Sequence, residues 1–326
     1  MGGRLIQFRQ ADGERGVALL SESGGARRLE GVSSVYGLAQ RALQEGASLA
    51  DLAEQLAGRS VDLGDVVLLA PIDHPDPAHL YLTGTGLTHL GSAEGRDKMH
   101  RTLAADAQPT DSMKMFLMGV EGGKPEAGAV GAQPEWFYKG NGSTLVGPGD
   151  PLRSPSFAGD AGEEPELAGV YIIDGQGAPV RLGFALANEF SDHVTERGNY
   201  LWLAHSKLRQ AALGPELLMG DMPEQVHGSS RIIRNGEVLW EKPFVSGEAN
   251  MSHSLANLEH HHFKYGLFRQ PGDLHVHFFG TATLSFNDGI SPMAGDIFEI
   301  EAAPFTLPVR NPLEFEASEG PQVRAL

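Results

Sequence analysis

The sequence contains no cysteine. That excludes a disulfide frame, a thiolate metal site and a cysteine nucleophile. Basic residues are scarce: 25 Lys and Arg face 42 Asp and Glu, a formal net charge of −17. Proteins that grip a phosphate backbone need a basic footprint, so no nucleic-acid partner is expected. An anionic membrane surface is disfavoured for the same reason. Long apolar runs are missing too. The longest, Val66 to Ile72, falls far short of the ~20 residues a membrane span needs. The opening stretch, MGGRLIQFRQADGE, lacks the apolar core of a signal peptide. A soluble, cytoplasmic protein without a membrane partner is the expectation. No internal repeat or low-complexity tract occurs in the 326 residues.

Glycine, in contrast, is abundant, with 42 residues, and 20 prolines accompany it. That combination favours a turn-rich, strand-rich enzyme over a helical bundle. With 41% hydrophobic residues the chain can bury a full core. Residues 1–75 read as a small mixed unit. Arg4–Arg9 and Gly16–Ser21 form two strands around an Asp12-Gly13 turn. Val35–Gln44 carries apolar residues at helical spacing, and Ser48 with Asp51 opens a second helix in a capping-box-like pair. Asp73-His74-Pro75-Asp76-Pro77 marks a boundary. Beyond it strands dominate: Leu80–Thr83, Trp136–Lys139, Leu167–Asp174, Leu182–Ala187, Arg231–Lys242, Leu274–Phe279 and Asp296–Glu301. Asn235-Gly236 predicts a tight hairpin turn. Helices are expected over Leu201–Ala212 and Ser252–Phe268. Gly84-Thr85-Gly86 lacks the third glycine of a dinucleotide fingerprint and reads as a turn. The expected fold class is α+β: a small N-terminal mixed domain over 1–75 and a mostly antiparallel, β-rich catalytic domain over 76–326.

Four stretches could carry chemistry. In GDAGEEPELAGVYIID, Glu164 and Glu166 lie two apart at the start of a strand, where i and i+2 share a face. Adjacent carboxylates repel unless a cation sits between them, and a hard divalent ion with oxygen ligands would serve. A solvated acidic loop, helped by Glu163, is the alternative that spacing alone leaves open. In LGFALANEFSDH, Glu189 follows an apolar strand and could complete a metal triad, or be an ordinary strand-end acid. Lys207 opens an expected helical run that ends at Gly214-Pro215, where a surface charge is the plain reading. Lys139 follows Trp136, Phe137 and Tyr138 and precedes a glycine-rich turn. His253, His260, His261, His262, His275 and His277 invite a zinc reading. The chain has no His-Glu-x-x-His pattern, so packing, hydrogen bonding or surface roles are expected for them instead.

In order along the chain, these stretches resemble the fumarylacetoacetate hydrolase superfamily. Lys139 with Ser143–Pro151 matches its lysine and "SxLVGPGDP" segment, and Glu164-Pro165-Glu166-Leu167-Ala168 matches its E-x-E. Gly183–Ser191 matches a "GYTLANDVS"-type strand, with Glu189 in place of the usual aspartate. Lys207 with Leu213-Gly214-Pro215, then Pro271-Gly272-Asp273 and Gly280-Thr281-Ala282, match the remaining motifs. The resemblance spans roughly residues 78–312. It implies a rolled β fold that commonly dimerises. It also implies that Glu164, Glu166 and Glu189 hold Mg²⁺, Mn²⁺ or another hard divalent ion. Lys207 would sit beside the metal as base or enolate stabiliser. Lys139, Ser92 and Thr281 would line the substrate pocket.

Hydrolases of that superfamily carry a water-activating His in a "GLNYxxHAxE"-like segment. Ser92 stands in its place here, Gly95 replaces its Glu partner, and His89 falls three residues early. The dyad is absent, and His89 and Glu94 are the candidates to protonate a leaving hydroxyl. Gly84–Asp97 and Gly169–Tyr200 look like the sugar-acid branch, which includes dehydratases of 2-keto-3-deoxy-pentonates. The resemblance therefore implies a metal-dependent dehydratase that forms 2,5-dioxopentanoate through a metal-stabilised enolate and loss of the C4 hydroxyl. The partner implied is a small sugar acid, and the assembly a homodimer. The alternative is an acylpyruvate or diketo-acid hydrolase of the same superfamily.

Overall fold

The computed structural model describes residues 3–21, 24–91, 110–317 and 320–326. The N-terminal elements are β1 (Arg4–Arg9), β2 (Arg15–Leu20), β3 (Ala26–Leu29), α1 (Val35–Glu45), α2 (Leu49–Leu56), β4 (Ala57–Val61) and β5 (Val67–Leu68). There follow β6 (Leu80–Gly84), α3 (Asp111–Gly122), β7 (Phe137–Asn141), β8 (Leu145–Val146), β9 (Leu152–Ser154), β10 (Pro165–Ile173) and β11 (Pro179–Asn188). Two short helices, α4 (His193–Gly198) and α5 (Leu203–Lys207), lead to β12 (Ala211–Leu213) and β13 (Glu216–Leu218). The chain ends through β14 (Val226–Arg234), β15 (Glu237–Ser246), α6 (Leu255–Phe263), β16 (Leu274–Phe278), β17 (Ile297–Ala302) and β18 (Val309–Phe315).

Local chemistry explains several boundaries. The Ser34 hydroxyl caps α1 by accepting from Gly37 N, and the Ser48 hydroxyl caps α2 by accepting from Asp51 N. Gly46 ends α1 in the left-handed region. Between β14 and β15, Asn235 and Gly236 have φ of 53° and 83°. Two successive positive φ angles are what a type I′ hairpin turn requires.

The strands form two sheets. The larger has 13 strands and runs β4-β3-β2-β1-β13-β11-β10-β16-β6-β7, with β5, β8 and β12 attached at its side. The smaller runs β15-β14-β17-β18-β9. Pairing is antiparallel except for β8–β12, β6–β16 and β9–β18. The architecture is thus α+β. The chain turn near residue 75 is not a break in the sheet, because β1 pairs with β13 from Leu218 to Glu216. Strand alternation divides the core. Along β10, Ala168, Val170 and Ile172 join an apolar layer that also holds Leu5, Val17, Leu38 and Leu52. Leu167, with Phe184 and Leu186 of β11, packs against Ile232, Phe298 and Ile300 of the small sheet. One layer therefore ties the N-terminal strands to the central ones, and the other clamps the two sheets together.

The helix expected over Leu201–Ala212 is shorter than the periodicity suggests. It ends at Lys207, and Ala211–Leu213 is a strand between β11 and β8. Lys207 closes its helix instead of opening one.

Candidate active site

Antiparallel pairing brings the start of β10 to the end of β11. Pro165 lies opposite Asn188, and the Glu189 N–H donates to the Glu164 carbonyl at 2.9 Å. That register stacks Glu164, Glu166 and Glu189 together. One carboxylate oxygen from each lies within 4.8 Å of the others, and all three residues are buried. Among the described residues no other group of three acids or histidines converges so closely. On the other flank of β10, Ala168 faces Phe278 of β16, so the chain beyond β16 returns over Glu166. There the Gly280 N–H donates to Glu166 Oε2 at 2.8 Å. Strand β6 runs parallel beside β16 and delivers Thr85, Gly86 and Leu87 to the same end. Leu87 has φ of 57°, a left-handed backbone uncommon for a branched side chain. Its turn is held by the Ser252 N–H, which donates to the Thr88 carbonyl at 2.7 Å.

Two lysines enter from elsewhere. Lys207, at the end of α5, donates to Glu164 Oε1, to Glu189 Oε2 at 2.7 Å and to Ser191 Oγ at 3.1 Å. Its ammonium also lies 5.1 Å from the centre of the Phe137 ring. Lys139, on β7, contacts Glu189 Oε1 at 2.6 Å and donates to the Phe190 and Lys207 carbonyls. Glu189 thus receives both lysines. His193, the first residue of α4, faces Glu164 Oε1 through Nε2 at 3.1 Å and Asp160 Oδ2 through Nδ1 at 3.3 Å.

Burial and charge set the protonation balance. Burial works against the Glu164 carboxylate, but Lys207 and His193 more than offset it and hold its pKa well below the usual range. Burial likewise opposes the Lys207 and His193 cations, and the carboxylates overcome it. Lys207 is raised and His193 is pushed up to about 10. Glu166 forms no ion pair among the described residues, and Lys207 offsets only part of what opposes its charge. Burial, then Glu189 and Glu164, drive its pKa well up. Three carboxylates with one of them unpaired is a donor set that fits a hard divalent cation, because such an ion removes the repulsion that raises Glu166. Glu163 is apart from this balance. It is fully buried and accepts from the backbone and hydroxyl of Ser285 at 2.8 and 2.7 Å, and burial lifts it to about 7.

The triad forms the floor of a polar cleft lined also by Thr85, Gly86, Phe137, His193, Glu196, Lys207, Thr281 and Asn287. Its enclosed space is about 40 Å³, room for an ion and one or two waters at roughly 10–15 Å³ each. A second cavity of about 560 Å³ shares Thr85 with this cleft. Met115, Trp136, Leu258, Leu267 and Phe268 give it a mainly apolar wall.

The sequence candidates therefore divide. Glu164, Glu166, Glu189, Lys207 and Thr281 surround one cleft. Lys139 sits behind Glu189 and does not line it. His89 is turned elsewhere: its Nε2–H donates to the Val245 carbonyl at 2.6 Å and the residue is 2% exposed. Ser92 and Glu94 lie outside the described residues. Sequence reasoning overlooked His193, Asp160, Ser191 and Glu196. The available signal was the run Asn188-Glu189-Phe190-Ser191-Asp192-His193, which packs two acids and a histidine behind one apolar strand.

Comparison with known proteins finds the same fold. A 2-keto-3-deoxy-D-arabinonate dehydratase in its apo form superposes with a TM-score of 0.69 at 19% identity, covering 97% of this chain and all of that one. A 2-keto-3-deoxy-D-arabinonate dehydratase complexed with magnesium and 2,5-dioxopentanoate gives the same values. A 2-hydroxyhepta-2,4-diene-1,7-dioate isomerase from Mycobacterium marinum superposes at 0.58 and 19% identity, again over 97% of this chain and all of its own. No family model matches the sequence, and no curated protein does. At this identity the likeness is one of fold, and it covers nearly the whole chain. No helix among the described residues is long and apolar enough to cross a membrane.

Proposed function

We propose that the protein is a divalent-metal-dependent hydro-lyase. It would convert a 2-keto-3-deoxy-pentonate of the 2-dehydro-3-deoxy-arabinonate type into 2,5-dioxopentanoate and water. The observation that carries this reading is the buried Glu164–Glu166–Glu189 triad with Lys207 between two of its members. A bound Mg²⁺ or Mn²⁺ would supply Lewis acidity to the carboxylate and C2 carbonyl of a 2-keto acid, which makes the C3 protons removable.

The chain's own groups then divide the remaining work. Three oxygen acceptors hold Lys207 as an ammonium, preorganised to meet negative charge that develops on the substrate oxygen. Lys139 neutralises Glu189 from behind and fixes its direction, so its part is positioning. Thr281 and Asn287 offer polar contacts to the substrate's hydroxyl groups. Elimination needs no added nucleophile. The C3 proton passes to a carboxylate of the cleft, for which Glu196 is in place. The C3=C4 bond forms, and the C4 hydroxyl leaves as water after taking up a proton. A C5 proton then moves to C3 and the C5 hydroxyl proton to C4, which gives the aldehyde. Glu94 is the proposed donor of that proton, since His89 is committed to Val245. Dehydration is the outcome expected of a site without a water-activating His–Glu pair. The magnesium and 2,5-dioxopentanoate in the similar dehydratase agree with this reading. A cytoplasmic homodimer is part of the same proposal, and light scattering in solution tests the assembly.

One observation favours a second reading. The apolar 560 Å³ cavity beside Thr85 has no use for a five-carbon sugar acid, but would take the acyl chain of an acylpyruvate. A single experiment separates the two. The EDTA-treated protein is resupplied with Mg²⁺ and given a panel of 2-keto-3-deoxy sugar acids and acylpyruvates, and the products are identified by mass. Loss of water from a pentonate supports the dehydratase. Carbon–carbon cleavage of an acylpyruvate, with the pentonates untouched, replaces it with the hydrolase.

A further inference from the structure

Glu164 is held more tightly than a buried ion pair requires. Lys207 Nζ and His193 Nε2 both contact the same oxygen, Oε1. Among the described residues the side-chain contacts of Glu164 fall on Oε1, while the residue itself lines the cleft. The two cationic side chains therefore fix one oxygen and leave the other free to act as a donor.

The histidine is itself fixed on every side. Its second nitrogen faces Asp160 Oδ2, and its side chain is 1% exposed. Its ring stacks on Phe286 with centroids 5.3 Å apart and planes at 29°. Gly162 completes the seat, since a Cβ there would stand 2.2 Å from His193 Nδ1. Reciprocal backbone bonds between Gly162 and Ser191, 2.9 and 3.0 Å, dock the Asp160 loop onto the segment that carries the histidine. Asp160, His193 and the triad carboxylate Glu164 thus follow one another through contacts of 3.3 and 3.1 Å, and hydrogen-bonded partners of this kind orient carboxylates that ligate metals.

We propose that His193 and Asp160 form a positioning pair that orients Glu164 and thereby sets the affinity of the triad for a divalent cation. This rests on the metal reading of the triad, and the experiment is chosen to separate the two. Mn²⁺ binding to the EDTA-treated full chain is titrated by electron paramagnetic resonance in the wild type and in His193→Leu, His193→Gln and Asp160→Ala. The wild type should bind one ion per chain. His193→Leu should weaken binding on the order of 10–100-fold. His193→Gln, which keeps one N–H donor, should recover part of the loss, and Asp160→Ala should show a smaller loss in the same direction. Excess Mn²⁺ should return kcat of the variants towards the wild-type value, which a merely structural defect would not allow. Should His193→Leu fail to fold, Asp160→Ala and His193→Gln decide the matter. A wild type that binds no ion overturns the metal reading itself. A wild type that binds, with folded variants binding within about twofold of it, overturns the positioning pair alone.

Discussion

Strands β10 and β16 carry two clusters of buried titratable side chains, one towards each end, and the clusters obey opposite rules. At one end, Glu164, Glu166 and Glu189 meet Lys207, Lys139 and His193 around an open cleft. Further along, His275 and His277 of β16 lie opposite Tyr171 and Gly169 of β10, with His262 of α6 against them. The hydrogen bonds the histidines make here are to neutral partners. The Trp136 indole N–H donates to His262 Nδ1 at 3.2 Å, His262 Nε2 meets His275 Nδ1 at 3.0 Å, and Thr83 Oγ1 meets His277 Nδ1 at 2.8 Å. Burial lowers all three, His262 well below its ordinary value and His275 and His277 to about 3. Phe263, Phe268 and Tyr81 pack around them. Dense, buried and titratable describes both clusters, and both border a cavity, yet only the first gathers carboxylates that repel one another. A site for a cation is marked by like charges forced together, not by the number of ionisable groups.

The sharpest way to break this contrast is to remove the cation. EDTA should abolish turnover, and Mg²⁺ or Mn²⁺ should restore it, in a coupled aldehyde assay. Glu166→Gln should also remove activity while raising Tm of the metal-free protein by about 2 °C, since it deletes a carboxylate that burial, Glu189 and Glu164 all oppose. A rise in Tm with full activity would mean that the triad is only structural. Next in size is Lys207→Ala. It should lower kcat on the order of 10²–10³-fold with little change in KM, because the charge it meets develops in the transition state. Steady-state kinetics checks this.

The histidine cluster makes the converse prediction, on stability and not on turnover. An unfolded imidazole takes up a proton as pH falls through about 6.5, whereas His275 and His277 in the fold do so only near 3. Between those values the unfolded chain binds more protons, so stability is lost as pH falls, by about 1.4 kcal/mol per pH unit for each histidine. His277→Gln should reduce that slope by one such increment in urea titrations from pH 7 to 5, with kcat at pH 7 unchanged. An unaltered slope would show that the cluster is not held neutral. The smallest effect is expected farthest from the cleft. Ser48→Ala removes the cap of α2 and should cost about 1 kcal/mol by chemical denaturation, leaving activity intact.

Much of this was legible in the residues themselves. The cap at Ser48, the Asn235-Gly236 turn and the strands around Leu167–Asp174 and Leu182–Ala187 follow from local rules, because backbone preference and period-two alternation act over a few neighbours. Glu164 and Glu166 are brought together by the same periodicity, and the order of the motifs pointed to their company with Glu189 and Lys207. Other features needed the folded chain. Ala211–Leu213 suits a helix or a strand equally, and only the partners on β11 and β8 made it a strand. Nothing local places Lys139 behind Glu189, turns His89 onto Val245, or aligns Asp160 and His193 with Glu164. These contacts link residues 29 to 156 positions apart, or lie across a loop, and they arise from strand order and register. Sequence pattern determines which groups are available and which face of an element they occupy. Tertiary structure decides which charges meet, because Coulomb and desolvation energies depend on distance and burial that only packing sets.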